Sequence, residues 1–168
     1  MLSEAYGIPE PISQYHDVSR FACGKAPLNQ YLKRYALKNQ QENISRTYVT
    51  QKGGRVVGYY TLAFGSVSHE AASEKIRREL PRYPIPVILL ARLAVDAAEK
   101  GRGLGAGLLR DAMLRTVQAA DIAGLRAMLT HAKDEEAKAF YLKYGFEESP
   151  IDALHLMLRI DDIRESLI

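Results

Sequence analysis

The residues best suited to chemistry in this sequence form a turn. Lys100-Gly101-Arg102-Gly103-Leu104-Gly105-Ala106-Gly107 sets four glycines and two cations between an almost continuous apolar run, VILLARLAVD at 87–96, and a stretch that keeps Leu104, Leu108, Leu109, Ala112, Met113 and Val117 on one helical face. Strand, glycine turn and helix in that order expose unpaired backbone N–H groups at the positive end of the helix dipole, which favours an anion. Glycines also let a phosphate approach the backbone closely; a sharp turn and tight packing explain one or two of the four, not all. Two nucleotide motifs fail here. A Walker A loop needs Lys-Ser/Thr after its last glycine, whereas Gly105 and Gly107 are followed by Ala106 and Leu108. The dinucleotide fingerprint fits formally from Gly101 to Ala106, but the turn is not in a first βαβ unit and the carboxylate required at the end of a following strand is missing.

Other reactive side chains are sparse. His131, at a predicted strand end, could act as a base, but a lone histidine there also reads as a structural residue. Cys23 and His16 could be drawn as nucleophile and base, yet nothing in the sequence sets their geometry. The single cysteine excludes an internal disulfide and fits a reducing compartment. The 23 Lys+Arg and 20 Asp+Glu give a formal net charge of +3, and that total hides an asymmetry. Residues 1–84 carry 12 basic and 7 acidic side chains, a net of +5, whereas 85–168 carry 11 and 13, a net of −2. Within 20–55, Arg20, Lys25, Lys33, Arg34, Lys38, Arg46, Lys52 and Arg55 face only Glu42. On its own such a run reads as a solvated helix face.

These residues need a scaffold. At 168 residues, 47% hydrophobic and 26% charged, the chain has the size and make-up of one folded domain spanning 1–168. Pro27 and the spacing of Leu28, Tyr31, Leu32, Tyr35 and Ala36 predict a helix over 27–41, with Lys33, Arg34 and Lys38 on its other face. Two β-rich runs, 45–51 and 55–66, flank Gly53-Gly54 and predict an antiparallel hairpin. A short polar helix at 70–80 is expected to end before Pro81, Pro84 and Pro86, which should not sit in a central strand. The run at 87–96 then predicts a strand covered on both faces, followed by a helix at 104–119, a strand at 125–131, a helix at 134–143 ended by Gly145, and a strand at 153–160. The expectation is a mixed α/β fold, an antiparallel hairpin first and a parallel crossover later. No apolar run approaches the roughly 18 residues of a transmembrane helix, and MLSEAYGIPEPIS lacks a signal peptide's basic-then-apolar order, so a soluble cytoplasmic protein is expected.

The turn resembles the acyl-coenzyme A loop of the GCN5-related N-acetyltransferases (GNAT), Gln/Arg-x-x-Gly-x-Gly/Ala after the central strand. Gly103 and Gly105 match, and Lys100 stands where the family usually has Gln or Arg. Leu93-Ala94-Val95-Asp96 before it and Phe140-Tyr141-Leu142-Lys143-Tyr144-Gly145-Phe146 after the next strand follow the family's order and spacing. The chain is further similar to a narrower group, the acetyltransferase toxins of bacterial toxin–antitoxin pairs that modify aminoacyl-tRNA. That similarity runs through Phe21-Ala22-Cys23-Gly24-Lys25-Ala26-Pro27-Leu28, Gly58-Tyr59-Tyr60-Thr61-Leu62 and Arg92 to Asp96.

The resemblance implies a GNAT fold, a mixed sheet with an antiparallel N-terminal hairpin and a splayed central strand between helices. It implies acetyl-CoA as co-substrate and no metal, with Leu93, Ala94 and Val95 at the thioester and Lys100, Gly101, Arg102, Gly103, Leu104, Gly105 and Ala106 at the pyrophosphate. Tyr141 becomes the general acid for the departing thiolate, since a phenol can donate to it; Tyr144 is left as core or pantetheine wall. Lys33, Arg34, Lys38, Arg77, Arg78, Arg82 and Arg92 become contacts to tRNA phosphates. An α-amine with a pKa of about 7.7–8.0 is substantially neutral at cytoplasmic pH, which suits an aminoacyl ester better than a lysine side chain. Expected partners are aminoacyl-tRNA, a ribbon-helix-helix antitoxin, operator DNA through their complex, and a second copy in a homodimer. The rivals are a GNAT acting on a small amine or a protein N-terminus, and a non-catalytic acyl-CoA sensor or nucleic-acid-binding module.

Overall fold

The computed structural model describes residues 6–167. In chain order its elements are β1 (Glu10–Pro11), α1 (Ala26–Gln30), a π-helical turn (Tyr31–Tyr35), α2 (Ala36–Gln41), β2 (Arg46–Lys52), β3 (Arg55–Val67), α3 (Glu74–Arg77), β4 (Ile85–Val95), a 3₁₀ turn (Ala97–Glu99), α4 (Leu104–Ile122), β5 (Ala127–His131), α5 (Glu135–Lys143), β6 (Glu147–Glu148), β7 (His155–Arg159) and α6 (Ile160–Ser166). The strands form a seven-stranded mixed sheet in the order β1-β2-β3-β4-β5-β7-β6. Two compact units divide the chain: residues up to Ala63 with Ala91–Ala112, and Phe64–Leu90 with Met113 onward.

In the first unit the predicted hairpin forms with Gly53 and Gly54 at φ +60° and +79°, the left-handed backbone a two-residue turn demands. β2 and β3 pair antiparallel from Arg46↔Leu62 to Lys52↔Arg55, with a bulge between Thr50 and Gln51. The predicted helix over 27–41 forms, interrupted by the π turn, where the Ala36 N–H reaches back to the Tyr31 carbonyl. One extra residue in a turn shifts the helical faces without breaking the helix. Tyr31 and Leu32 are buried by it, and Lys33, Arg34 and Tyr35 emerge together on the surface. The core joins Phe21, Leu28, Tyr31, Leu32, Ala36, Val49, Val56, Tyr59 and Ala94. Tyr59 is its centre: its ring meets Phe21 edge-on at 5.6 Å and stacks on Tyr31 at 6.4 Å, and its hydroxyl donates to the Leu28 carbonyl at 2.7 Å.

In the second unit β4 pairs parallel with β5 from Val87↔Ala127 to Leu90↔Thr130, β5 pairs antiparallel with β7, and β6 closes the edge on β7. The predicted parallel crossover is therefore present. Asp134 caps α5 by accepting from the Ala137 N–H at 2.8 Å, and Gly145 follows the helix at φ +95°.

Two expectations are corrected. The helix over 70–80 shrinks to Glu74–Arg77, because Ser73 caps it from the middle of the stretch and Glu79 leaves at φ +64°. Pro86 lies inside β4, as its second residue, where its carbonyl accepts from the Arg126 N–H at 2.9 Å; a proline is tolerated at a strand's entry. The short strands β1 and β6 and the helix α6 were not anticipated; two-residue strands carry no readable alternation. Among the described residues, no helix is long and apolar enough to cross a membrane.

Candidate active site

In the first unit, β4 delivers the chain into the turn and α4 leaves it. Gly58 on β3 lets α4 sit close, since a Cβ there would lie 2.9 Å from Leu108 Cδ1 and 3.3 Å from Leu104 Cδ2. Further along the same face Tyr60 donates its hydroxyl to the Asp111 carboxylate at 2.5 Å, pinning the helix one turn beyond Leu108. α4 therefore begins at a fixed height, directly after Gly103 at φ +83°. Gly107 N–H is the first to find an intrahelical partner, the Gly103 carbonyl at 3.1 Å. The amides of Leu104, Gly105 and Ala106 belong to the first turn, whose N–H groups have no intrahelical acceptor. Gly101, Arg102 and Gly103 are exposed, Gly105 and Ala106 half-buried and Leu104 buried; a helix start reached through an exposed turn suits an anion. Leu93 and Val95 are half-buried at the end of β4.

Two carboxylates brace the turn. Burial pushes the Asp96 carboxyl up, but the Ala98 and Ala22 N–H groups, at 2.9 and 3.2 Å, and the Arg55 guanidinium, at 3.2 Å, outweigh it and hold the group below the usual carboxylate range. Glu99 is likewise held low, by the Lys52 ammonium at 2.9 Å, by Tyr6 Oη at 2.7 Å and by Arg102 at 3.4 Å. The early basic run thus has two jobs. Lys52 and Arg55 neutralise the carboxylates under the turn, whereas Lys33, Arg34 and Lys38 are exposed with no carboxylate partner among the described residues. Arg92 is half-buried with its guanidinium 3.6 Å above the Tyr31 ring, a cation–π contact that fixes the side chain. Lys100 donates to the Cys23 carbonyl at 2.8 Å.

Cys23 and His16 are not a catalytic pair. The Cys23 thiol is buried and directed at the Lys25 carbonyl, and His16 is held between the Ser13 N–H and Glu10 Oε1.

In the second unit, Tyr141 lies on the buried side of α5 with 6% of its surface exposed, its ring against Phe140 at 5.2 Å and Phe146 at 5.3 Å. Burial pushes its phenol up to about 12, against the pull of a hydrogen bond with Thr130. Thr130 itself donates to the Leu90 carbonyl at 2.9 Å. At neutral pH this phenol is a held, fully protonated acid. Tyr144 is half-buried against Phe140 at 5.1 Å. His131 stacks on His155 at 3.7 Å, and His155 pairs with Asp152 at 3.2 Å. Burial and the neighbouring imidazole hold His131 below its ordinary pKa. Arg78 is engaged by Glu74 in a two-point contact at 2.7 and 3.3 Å, and Arg77 and Arg82 line an open recess with His69, Glu70 and Tyr83. The engagements of Lys52 by Glu99 and of Arg55 by Asp96 escape the sequence because partners more than forty residues apart are brought together only by the fold.

Comparison with known proteins identifies relatives of the whole chain. Residues 43–148 match the acetyltransferase (GNAT) domain family. The chain is 54% identical over 159 residues, 95% of each chain, to a tRNA-acetylating toxin of Mycobacterium tuberculosis strain H37Rv. It superposes on AtaT complexed with acetyl-methionyl-tRNAfMet with a TM-score of 0.88, at 27% identity and covering 96% of this chain and 99% of that one. It also superposes on a tyrosine-to-phenylalanine variant of AtaT bound to acetyl-CoA and the C-terminus of the antitoxin AtaR, with a TM-score of 0.81, at 26% identity and covering 95% and 96%. An anion-ready glycine turn on the shared fold, and identity over nearly the whole length, place it: the chain belongs to the GNAT acetyltransferases and, within them, to the family of the tRNA-acetylating toxins.

Proposed function

We propose that this protein transfers the acetyl group of acetyl-CoA to the α-amino group of aminoacyl-tRNA and so blocks translation, and that a cognate antitoxin neutralises it. The observation that carries this reading is the 54% identity, across 95% of both chains, to a tRNA-acetylating toxin. The exposed turn supports it, because its free first-turn amides and the helix dipole suit a pyrophosphate.

In this reading the amides of Gly101 to Ala106 hold the pyrophosphate, and a backbone N–H among Leu93, Ala94 and Val95 holds the thioester carbonyl oxygen where negative charge develops. The neutral amine attacks the thioester carbon. Collapse of the tetrahedral oxyanion breaks the C–S bond, and the thiolate takes the proton of the Tyr141 hydroxyl. The proton on the new amide nitrogen leaves to water, and water reprotonates the phenolate. No protein base is required for an amine already neutral near pH 8. Lys33, Arg34, Lys38, Arg77, Arg78 and Arg92 meet tRNA phosphates, a largely electrostatic contact that weakens with salt. The antitoxin is of the ribbon-helix-helix type, its complex with the toxin binds operator DNA, and the protein works in the cytoplasm as a homodimer.

Labelled acetyl-CoA offered separately to charged tRNA, uncharged tRNA and free amines tests the reading. Label is expected in charged tRNA alone. Label in free amines but never in charged tRNA would overturn it in favour of a small-amine acetyltransferase, and label nowhere would point to an acyl-CoA sensor.

A further inference from the structure

Lys100 occupies the position where a side-chain donor to the pyrophosphate is expected, and its ammonium is directed elsewhere. Nζ donates to the Cys23 carbonyl at 2.8 Å. That carbonyl is itself held. The Cys23 N–H donates to Asn29 Oδ1 at 2.9 Å, the cysteine is buried, and Gly24 turns the chain at φ +91°. Two more bonds join the same stretches: the Ala97 N–H donates to the Ala22 carbonyl at 2.8 Å, and the Ala22 N–H donates to the Asp96 carboxylate at 3.2 Å. Asp96 and Ala97 fasten the start of the glycine turn and Lys100 fastens it three residues on, both to Ala22-Cys23. Asn29 lies in α1, whose continuation presents Lys33, Arg34 and Lys38.

We propose that Lys100 is a positioning residue that latches the glycine turn to the chain entering α1, and that it does not act as a ligand of the pyrophosphate. The turn already offers backbone donors to an anion. Arg102 leans on Glu99 at 3.4 Å, but Gly101 and Gly103 on either side of it are exposed, have left-handed backbones and carry no side chain to anchor them. A charge-assisted bond from an ammonium to a fixed carbonyl supplies that anchor. Because one short stretch, Ala22 to Lys25, carries both the latch and the entry to the cationic helix, ordering of the turn by coenzyme also orders that helix. By reciprocity, an acceptor bound on the helix strengthens coenzyme binding by the same factor. The nature of that acceptor rests on the function proposed above; the latch itself does not.

The test uses the full chain with Lys100→Met and Lys100→Arg. Three quantities are read: affinity for acetyl-CoA against acetyl-pantetheine, which lacks the pyrophosphate; amide hydrogen exchange over 22–30 with and without acetyl-CoA; and KM against kcat for aminoacyl-tRNA. In Lys100→Met the preference for acetyl-CoA over acetyl-pantetheine should stay within about threefold of the unmodified chain, short of the tenfold that a lost ligand bond of ~1.4 kcal/mol would give. Exchange over 22–30 should quicken about fivefold or more and no longer slow when acetyl-CoA binds. KM for aminoacyl-tRNA should rise several-fold with kcat retained, and Lys100→Arg, which keeps the charge and a donor, should restore both the exchange protection and the KM. A collapse of the acetyl-CoA preference by about tenfold or more would make Lys100 a coenzyme ligand and overturn the proposal. So would unchanged exchange over 22–30. If the unmodified chain acetylates no aminoacyl-tRNA, the function reading fails, and the first two measurements still decide Lys100.

Discussion

The glycine turn and the aromatic segment around Tyr141 solve opposite problems. The turn is exposed and opens a helix after Gly103, so in the proposed reaction it works through the first-turn backbone N–H groups. Tyr141 is 6% exposed and enclosed by Phe140, Phe146 and Thr130, and in the proposed reaction it works through one hydroxyl. In the proposed reaction, binding is spread over many small contributions, while proton transfer is concentrated in a single atom. The two regions should therefore fail differently when altered, one in KM and the other in kcat.

Replacing Tyr141 by Phe is the most severe way to test that contrast. A positioned general acid is worth about 10²–10⁴-fold, so kcat should fall at least about 100-fold, while acetyl-CoA affinity in calorimetry stays within about twofold. Loss of the bond with Thr130 should cost about 1 kcal/mol of stability, visible as a small drop in Tm. The pH profile sharpens the same point. The amine reacts when neutral, so kcat/KM should rise through about pH 7.7–8.0. The phenol donates when protonated, and burial holds its pKa at about 12, so no falling limb should appear below that range. A falling limb near 10 would mean a solvated phenol or another acid.

How much of this was legible in the sequence follows the same division. The turn could be read because four glycines between an apolar strand and an amphipathic helix have few structural excuses. Tyr141 could not be read from periodicity, since a tyrosine beside Phe140 and Tyr144 looks like core, and it is core as well. Only the family motif singled it out. The hairpin was legible in Gly53-Gly54, and the π turn was not, because no residue type between Tyr31 and Tyr35 forbids an ordinary helix. The pairing of Lys52 with Glu99 and of Arg55 with Asp96 was invisible for another reason, the forty-odd residues that separate the partners.

Gly103→Ala addresses the distributed side. At φ +83° a Cβ costs roughly 1–2 kcal/mol, enough to shift the turn rather than unfold the chain. KM for acetyl-CoA should rise about tenfold while kcat at saturation keeps at least half its value. A drop in kcat matching that of Tyr141→Phe would break the distinction between the two regions.

The cations extend the distributed case to its weakest contributions, and they are not equal. Lys33 and Arg34 are exposed without a carboxylate partner among the described residues, whereas Arg78 is already held at two points by Glu74. Reversing both Lys33 and Arg34 to Glu should raise KM for aminoacyl-tRNA about tenfold, flatten its dependence on salt, and leave acetyl-CoA affinity unchanged, since each phosphate contact contributes about one unit to the salt slope. Arg78→Ala should raise KM only about two- to threefold, because Arg78 gives up its contact with Glu74 to reach a phosphate and so gains less from it. Steady-state kinetics on charged tRNA across a salt series separates the two. Equal losses from both sites would show that Glu74 does not hold Arg78 back, and that net positive charge, rather than the unpaired state of individual cations, governs tRNA binding.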